Sequence, residues 1–518
     1  MARLWVSTGM TCVRVLRTDG IRMNIVDLPM EILLLLGTFI FKEDTIAAAS
    51  TCRALRKALA SLLWDQLILP GRKGFTPVDV NILKKNARFV HTLTYLTTIS
   101  PNYTIPFPVL TSLSFEFPSW PTTSPGTITP PDRDDYIASI IRLCPGIQNL
   151  ILTNAVPCPS VQLWETIFST LKDPQRLTVT RMDPTDNPSM QAFWRACSRF
   201  EELELIGFDI LTTNDLPVTP FPRLKRLTHQ LNPYYRDSIG QEGQLTWIMC
   251  CPNLTALEWR TGNSHFPSRR LVEAIRQNTW PNLESFQLTG ADLEDDKSAL
   301  ILQHLPPLHV FRLSSRSLSK LSFNRLQQRH FVTLRILDLN GCALITSEMV
   351  LSVLSGCPLL EDLSAPYFTA RDLRQREPAR RAWICFGLRR LKVYIIRDRE
   401  HPHADQLVFE QLSKLVQLEQ LELGDDPLRD LDVVLAQNLR SQGALQLRLD
   451  SGLDRLAGLK SLFAVEFHGT AQTMRVQEME WMMENWPELE EVSGKLSRNS
   501  QTHALLKEML EKRDISTF

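Results

Sequence analysis

Two histidines in the segment RDREHPHADQ, His401 and His403, stand close to Asp398, Glu400 and Asp405. Imidazole and carboxylate at such spacing can hold a divalent ion or pass a proton. Loops that mix acids and bases in this way ordinarily stay solvated, so no metal site is expected. The ten cysteines include no pair three residues apart, which removes the Cys-x-x-Cys spacing of zinc and dithiol redox sites. Also absent are the glycine-rich phosphate loops G-x-x-x-x-G-K-[ST] and G-x-G-x-x-G, the zinc motif H-E-x-x-H and the nucleophile elbow G-x-S-x-G. No catalytic residue and no cofactor is therefore expected. What remains is recognition chemistry. Glu258, Arg260, Gln287, Arg312, Asp338, Asn340, Lys392, Tyr394 and Glu422 alternate with apolar residues in short segments. Alternate side chains of a strand point to opposite faces. With the apolar set inside, this mixed-sign set lies outside, where it can bind a protein partner.

The elements that would carry this face are plainest in FVTLRILDLNGCALITSEMVLSVLSGCP, residues 331–358. Leu334, Leu337 and Leu339 set out L-x-x-L-x-L, a short strand with Cys342 following. Ile345, Met349, Val350, Val353 and Leu354 recur at helical spacing, with Thr346 and Ser347 as candidate N-caps and Glu348 in the first turn. A strand and a helix this small cannot bury their apolar faces alone, so the unit needs a similar one on each side. The pattern resembles the cysteine-containing leucine-rich repeat.

The same register runs through much of the chain. Its first apolar position falls at Ile147, Phe200, Leu224, Leu254, Leu283, Leu308, Leu334, Leu360, Leu388, Leu418, Leu459 and Leu489. From Leu254 to Leu418 the steps are 29, 25, 26, 26, 28 and 30 residues, close to the roughly 20–29 of this repeat class. Weaker copies are anchored at Val90, Leu110 and Pro174. Inside the longer step from Leu418 to Leu459, ALQLRLD (444–450) reads as a degenerate strand. Convex helices are expected at 136–143, 161–171, 190–197, 268–276, 297–302, 409–415 and 473–484. Proline after the helix, as in the recurring C-P, F-P, W-P and L-P pairs, ends it and feeds the next strand. PSWPTTSPGTITPP (118–131) reads as a loop. Residues 501–512, with Leu505, Leu506, Met509 and Leu510 on one side, read as a terminal capping helix.

Length alone would suggest about three or four domains, but a solenoid grows by adding repeats. Lys plus Arg equals Asp plus Glu, 57 each, so no global field favours nucleic acid or an anionic membrane. Cys144, Cys197, Cys251, Cys342, Cys357 and Cys385 fall at repeat positions and read as small buried hydrophobes, which suits a reducing compartment, cytoplasm or nucleus. The apolar run 32–41 is too short to span a bilayer, which needs about 20 residues. Residues 1–22 carry four arginines against one acid and lack a secretory core. They read as a flexible tail, a mitochondrial transit peptide or an extension ahead of a start at Met23.

Residues 24–69 fit no repeat. Pro29 and Glu31 suit a helix start, and Ile32, Leu33, Leu35 and Leu36 give it a broad apolar face. Asp44 is placed to cap a second helix, and a third from about Cys52 carries Leu55, Leu59, Leu62 and Leu63 up to Trp64. Three helices in so short a span bury only a modest core, so exposed apolar surface is expected, and such surface indicates a partner. Leu28-Pro29-x-Glu31-Ile32-Leu33, Asp44, Cys52-Arg53 and Leu63-Trp64 together resemble an F-box. Leu55 stands where that family often has an aromatic ring. A generic three-helix cap for the solenoid is the plainer alternative.

The resemblance implies an α/β fold: a leucine-rich-repeat solenoid, a curved parallel sheet with convex helices, preceded by a small three-helix F-box. The corresponding segments are a tail (1–23), the F-box (24–69), a turn-rich join at 70–74 opening the solenoid (70–497, with loop 118–131) and a capping helix (498–518). It implies the substrate-recognition subunit of a ubiquitin ligase. Leu28, Pro29, Ile32, Leu33 and Trp64 would dock a Skp-family adaptor, and through it a cullin and RING ligase, or would form the core supporting that docking. Glu258, Arg260, Arg312, Asp338, Asn340, Lys392, Tyr394 and Glu422 would bind a protein substrate, with no catalytic group supplied. A scaffold or regulator that binds partners without delivering them for ubiquitination is the alternative. An enzyme with a site built from loops such as 396–406 is the rival of another class.

Overall fold

Each L-x-x-L-x-L segment forms a strand whose apolar side chains can be covered only by a neighbour of the same kind. The computed structural model describes residues 17–18, 21–22, 25, 28–69, 79–96, 104–116, 130–155, 158–182, 187–208, 216–217, 219–231, 239–261, 266–291, 293–314, 318–378, 382–401, 403–424 and 443–517. The chain divides into two compact units, Met1–Thr180 and Arg181–Phe518. The division falls inside 70–497, the stretch read as repeats. The join at 70–74 lies outside the described residues, as does most of the loop read at 118–131.

In the first unit β1 (Arg17–Thr18) pairs antiparallel with β2 (Ile21–Arg22), within the stretch read as a tail. Helices α1 (Met30–Gly37), α2 (Lys42–Thr51) and α3 (Arg53–Asp65) follow. The chain then lays down parallel strands β3 (Gln66–Leu69), β4 (Thr92–Leu96), β5 (Ser112–Glu116), β6 (Asn149–Thr153) and β7 (Arg176–Thr180). Thus the last four residues of the segment read as helical join the sheet, and the copies anchored at Val90, Leu110 and Pro174 each carry a strand. Between the strands run α4 (Val80–Asn86), α5 (Pro130–Leu143) and α6 (Val161–Thr170). The helix read at 136–143 begins earlier, at Pro130, because proline is tolerated in a first turn whose N–H groups have no partner. Leu93, Leu113, Leu150 and Leu177 share one register and are fully buried.

In the second unit helices and strands alternate, except between Ile206 and Arg226 and between Glu422 and Ala464, where no α-helix is described. The order is α7 (Asn187–Cys197), β8 (Glu202–Ile206), β9 (Arg226–Gln230), α8 (Ile239–Ile248), β10 (Ala256–Arg260), α9 (Ser268–Arg276) and β11 (Ser285–Thr289). Then come α10 (Asp295–His304), β12 (Val310–Ser314), α11 (Lys320–Arg329), β13 (Ile336–Asp338), α12 (Ser347–Leu354), β14 (Asp362–Thr369), α13 (Ala370–Gln375) and β15 (Arg390–Ile396). Helix His403–Leu412, β16 (Gln420–Glu422), β17 (Ala464–Ala471), helix Val476–Asn485, β18 (Glu491–Lys495) and helix Ser500–Glu511 complete it. Strands β8 to β18 pair in parallel in chain order. Leu227, Leu257, Phe286, Phe311, Leu337, Leu363, Leu391, Leu421, Val465 and Val492 form one buried column across them. This regular stack of strand, turn and helix is an α/β leucine-rich-repeat solenoid.

Two details depart from expectation. The segment 444–450 forms no ladder strand: Ala444 makes a single antiparallel bridge to Ile396, and β16 pairs directly with β17. In the terminal helix Leu506 and Leu510 are buried, whereas Leu505 faces solvent. Among the described residues no helix is long and apolar enough to cross a membrane.

Neighbouring repeats are also locked by capping across the gap. Asp295 in α10 accepts from the backbone N–H of Ser319, Leu321 and Ser322 at the start of α11, and from both serine hydroxyls. Burial pushes its carboxyl up, but these bonds outweigh that and hold it below the usual carboxylate range. Asp134 in α5 does the same for Ser160 ahead of α6. Ser347, read as an N-cap of α12, instead accepts from Thr369 N–H ahead of α13. The Cys342 thiol donates to the Leu313 carbonyl of the preceding repeat at 2.9 Å. Burial pushes the Cys385 thiol up to about 12, so it packs as an apolar group.

Asp295→Ala strips one acceptor from several N–H and O–H groups and should cost about 2–3 kcal/mol. The check is a lowered urea midpoint with α10 and α11 losing amide protection first. Acid should weaken the second unit as well. His330 accepts from Leu308 N–H at 3.2 Å through Nδ1 and bonds the Leu302 carbonyl through Nε2 at 2.9 Å; His229 is buried edge-on to Trp247. Burial pulls both imidazoles from 6.5 down to about 4. The unfolded chain therefore takes up protons first as pH falls below 6.5, and by about pH 4 each histidine costs up to about 3 kcal/mol. The urea midpoint should fall between about pH 7 and about pH 5; a constant midpoint would contradict this.

Candidate partner-binding surfaces

The helical module begins at Pro29, whose carbonyl accepts from Ile32 and Leu33 N–H at 3.0 and 3.1 Å. Cys52 caps α3, its Sγ accepting from Leu55 N–H at 3.4 Å. Phe41, not Asp44, occupies the cap position of α2; Asp44 sits in the first turn beside Glu43, where the helix dipole favours a negative charge. Leu33, Gly37, Ala49, Ala58 and Leu59 form the buried interior. Gly37 is required by close approach: a Cβ there would clash with Leu62 and come within 2.9 Å of Leu59 Cδ2.

This small core leaves a large apolar surface outside. Phe39 is 78% and Phe41 79% exposed, Leu35 is 55% exposed, and Met30, Ile32, Leu36, Ile40 and Ile46 are exposed with them. Covering one such side chain contributes about 1.5–3 kcal/mol. The five adaptor-docking candidates separate accordingly. Pro29 and Ile32 are exposed, Leu28 and Trp64 are half-buried, and Leu33 lies in the core holding α1 on α3. The sequence signal for Phe39 and Phe41 is the apolar run 32–41, interrupted only by Gly37 and Thr38; Ile46 lies beyond it, in α2, and carries no such signal.

The second surface is the strand face opposite the leucine column in the second unit. Parallel register places Glu258, Gln287, Arg312, Asp338, Ser364, Lys392 and Glu422 side by side, one per strand from β10 to β16. Arg260 lies two residues beyond Glu258 and pairs with it at 2.6 Å. Lys392 Nζ is 2.6 Å from Glu422 Oε2, and Arg390 Nη2 is 2.5 Å from Asp362 Oδ2. Arg312 Nη1 donates to Gln287 Oε1 at 3.3 Å. Asn340 donates to Ser364 Oγ through its amide and to Asp338 Oδ1 through its backbone. A cavity of about 250 Å³ opens here, lined by Arg312, Asp338, Asp362, Ser364, Arg390, Lys392, Gln420 and Glu422 among others. Burial pushes the Asp362 carboxyl up, Arg390 and Arg312 pull it down, and Asp338 pushes it up again; the net shift is upward.

Seven of the eight partner-binding candidates reach this face. Tyr394 does not: it is 7% exposed, packed with Tyr367, Ile396 and Ala444. The chain after β16 folds back over it, with Leu445 N–H on the Ile395 carbonyl and Arg397 N–H on the Gly443 carbonyl.

The histidine loop is a closed turn. Asp398 accepts from Glu400 and His401 N–H, both at 3.2 Å, and Arg374 Nε stands 3.5 Å from its Oδ2. Asp398, Glu400 and His401 bring ligand atoms within 4.8 Å of one another, but a guanidinium already neutralises the central carboxylate. His403 instead opens the next helix, and Asp405 is held by Arg397 at 2.6 Å.

Gly37→Leu should prise α1 from α3, at a cost of about 1–3 kcal/mol. Amide exchange would check this: α1 and α3 should lose protection while β10 to β15 keep theirs.

No family model matches the chain, and no curated protein matches it. Among solved structures it is similar to a chain of the yeast Rad7–Elc1 complex, at 16% identity over 78% of this chain and 90% of that one, TM-score 0.43. It is also similar to a leucine-rich-repeat protein of Leptospira interrogans, at 14% identity over 88% and 94%, TM-score 0.39. A third likeness is to the Drosophila Toll–Spätzle complex, at 13% identity over 83% and 53%, TM-score 0.36. The leucine-rich-repeat fold rests on the strand register and repeat spacing described above.

Proposed function

We propose that this chain is an F-box protein with leucine-rich repeats and acts as the substrate-recognition subunit of a Skp/cullin/F-box ubiquitin ligase. The observation that carries this reading is the exposed apolar surface of α1 and of the connection to α2, centred on Leu35, Phe39 and Phe41, on a module whose Leu-Pro-x-Glu-Ile start and Leu63-Trp64 end resemble an F-box. An exposed apolar area of this kind marks an interaction surface. A Skp-family adaptor is the proposed occupant, bringing a cullin and RING ligase with it. The repeats then hold a protein substrate near the charged conjugating enzyme. The chain contributes proximity and no catalytic group, since raised effective concentration suffices to accelerate transfer.

Full-length protein carrying Phe39→Ser and Phe41→Ser should lose at least about tenfold in affinity for a purified Skp-family adaptor, because each ring contributes about 1.5–3 kcal/mol when covered. Both positions are exposed, so the fold should survive, which circular dichroism checks. Undiminished adaptor binding by the double variant would overturn the assignment. Ubiquitination of a captured partner that persists after adaptor depletion would instead favour a scaffold without delivery.

A further inference from the structure

We propose that the outward face of β12 to β16 is an anchor subsite for a mixed-charge protein segment, taking an acidic side chain on Arg312 and a basic one on Asp338. This deepens, and rests on, the reading of the repeats as a partner-binding surface.

Most of the charges that line the cavity are already satisfied. Six charged side chains line the cavity, Arg312, Arg390 and Lys392 against Asp338, Asp362 and Glu422, and they sum to zero. Arg390 is committed to Asp362 and Lys392 to Glu422. Arg312 and Asp338 are left over. They are neighbours in register on β12 and β13, yet among the described residues neither forms an ion pair. Arg312 reaches only the Gln287 amide, and its Nε is buried without an acceptor. Asp338 accepts only the Asn340 N–H next to it in the chain, at 3.0 Å. Buried polar atoms are seldom left unbonded, so an orphaned guanidinium N–H beside a cavity calls for an incoming acceptor. A carboxylate fits, because the guanidinium fork binds it through two N–H groups at once.

The balance of signs defines the rest of the partner. A polyanion such as nucleic acid would meet Asp338, Asp362 and Glu422 as well as the cations, and would have no net field to draw it in. A segment presenting one acid and one base side by side meets a complement to each. The first unit has no such row: the matching positions on β3 to β7 are Ile68, Thr94, Ser114, Ile151 and Thr178, with no charge at all.

The test uses the full-length chain and three fluorescein-labelled short peptides, identical and neutral except for a central Glu-Xaa-Lys, Glu-Xaa-Ala or Ala-Xaa-Lys, titrated by anisotropy. The mixed peptide should bind tightest. Arg312→Ala should weaken both glutamate peptides about tenfold and leave Ala-Xaa-Lys unchanged; Asp338→Ala should weaken both lysine peptides and spare Glu-Xaa-Ala. Equal binding of all three peptides, or parallel losses for every peptide in both variants, would overturn the subsite. Adaptor capture by the same preparations reads the F-box assignment separately. Capture without peptide selectivity sinks only the subsite, and selectivity without capture sinks only the assignment.

Discussion

Lateral stacking is the constraint on which the rest of this structure depends. The shortest strands of the parallel stack, such as Ile336–Asp338 and Gln420–Glu422, have three residues, too few to hold together by their own contacts. Each is stable because its backbone bonds the strand before and after it and because its central leucine fits a column of leucines, valines and phenylalanines that runs through the unit. The column is closed to solvent: Leu257, Leu337, Leu363 and Leu421 are wholly buried. Asp295 and Asp134 extend the same logic to the helices by capping the next repeat. Cohesion is therefore shared between repeats and belongs to none of them singly.

That arrangement also presents the outward side chains. Because β10 to β16 are in parallel register, one residue per strand falls in line at the spacing of the sheet, about 4.8 Å. Those side chains stand on a backbone that cannot easily shift, since any shift would open the column beneath. A row fixed in this way suits recognition of a partner's side chains by position. The helical module follows the opposite rule. Its interior is little more than Leu33, Gly37, Ala49, Ala58 and Leu59, and most of the apolar content of α1 faces outward. The first surface offers area and the second offers a pattern of charge.

The residues that looked reactive in isolation are occupied by structural tasks. Asp398 closes a turn and faces Arg374, Asp405 faces Arg397, and His330 links two neighbouring repeats. The cysteines at repeat positions are buried, and burial pushes the thiols of Cys144, Cys197, Cys251, Cys357 and Cys385 up, away from a reactive thiolate.

The amino-acid order determined by itself the repeat, its anchors and the facing of nearly every strand residue, because a period of two and a step near 26 residues leave only one way to bury the leucines. It also determined that the helical module must expose apolar groups, since eight of the ten residues in the run 32–41 are large and apolar and so short a module cannot cover them all. Tertiary structure alone decided which of those groups are core, placing Leu33 inside and Ile32 outside through the packing of α1 on α3. It alone decided that Tyr394 is lost beneath the fold-back at Ala444, and that Arg390 and Lys392 form ion pairs while, among the described residues, Arg312 and Asp338 form none. Each of these outcomes depends on contacts between residues distant in the chain, and local periodicity carries no information about which distant side chain arrives first.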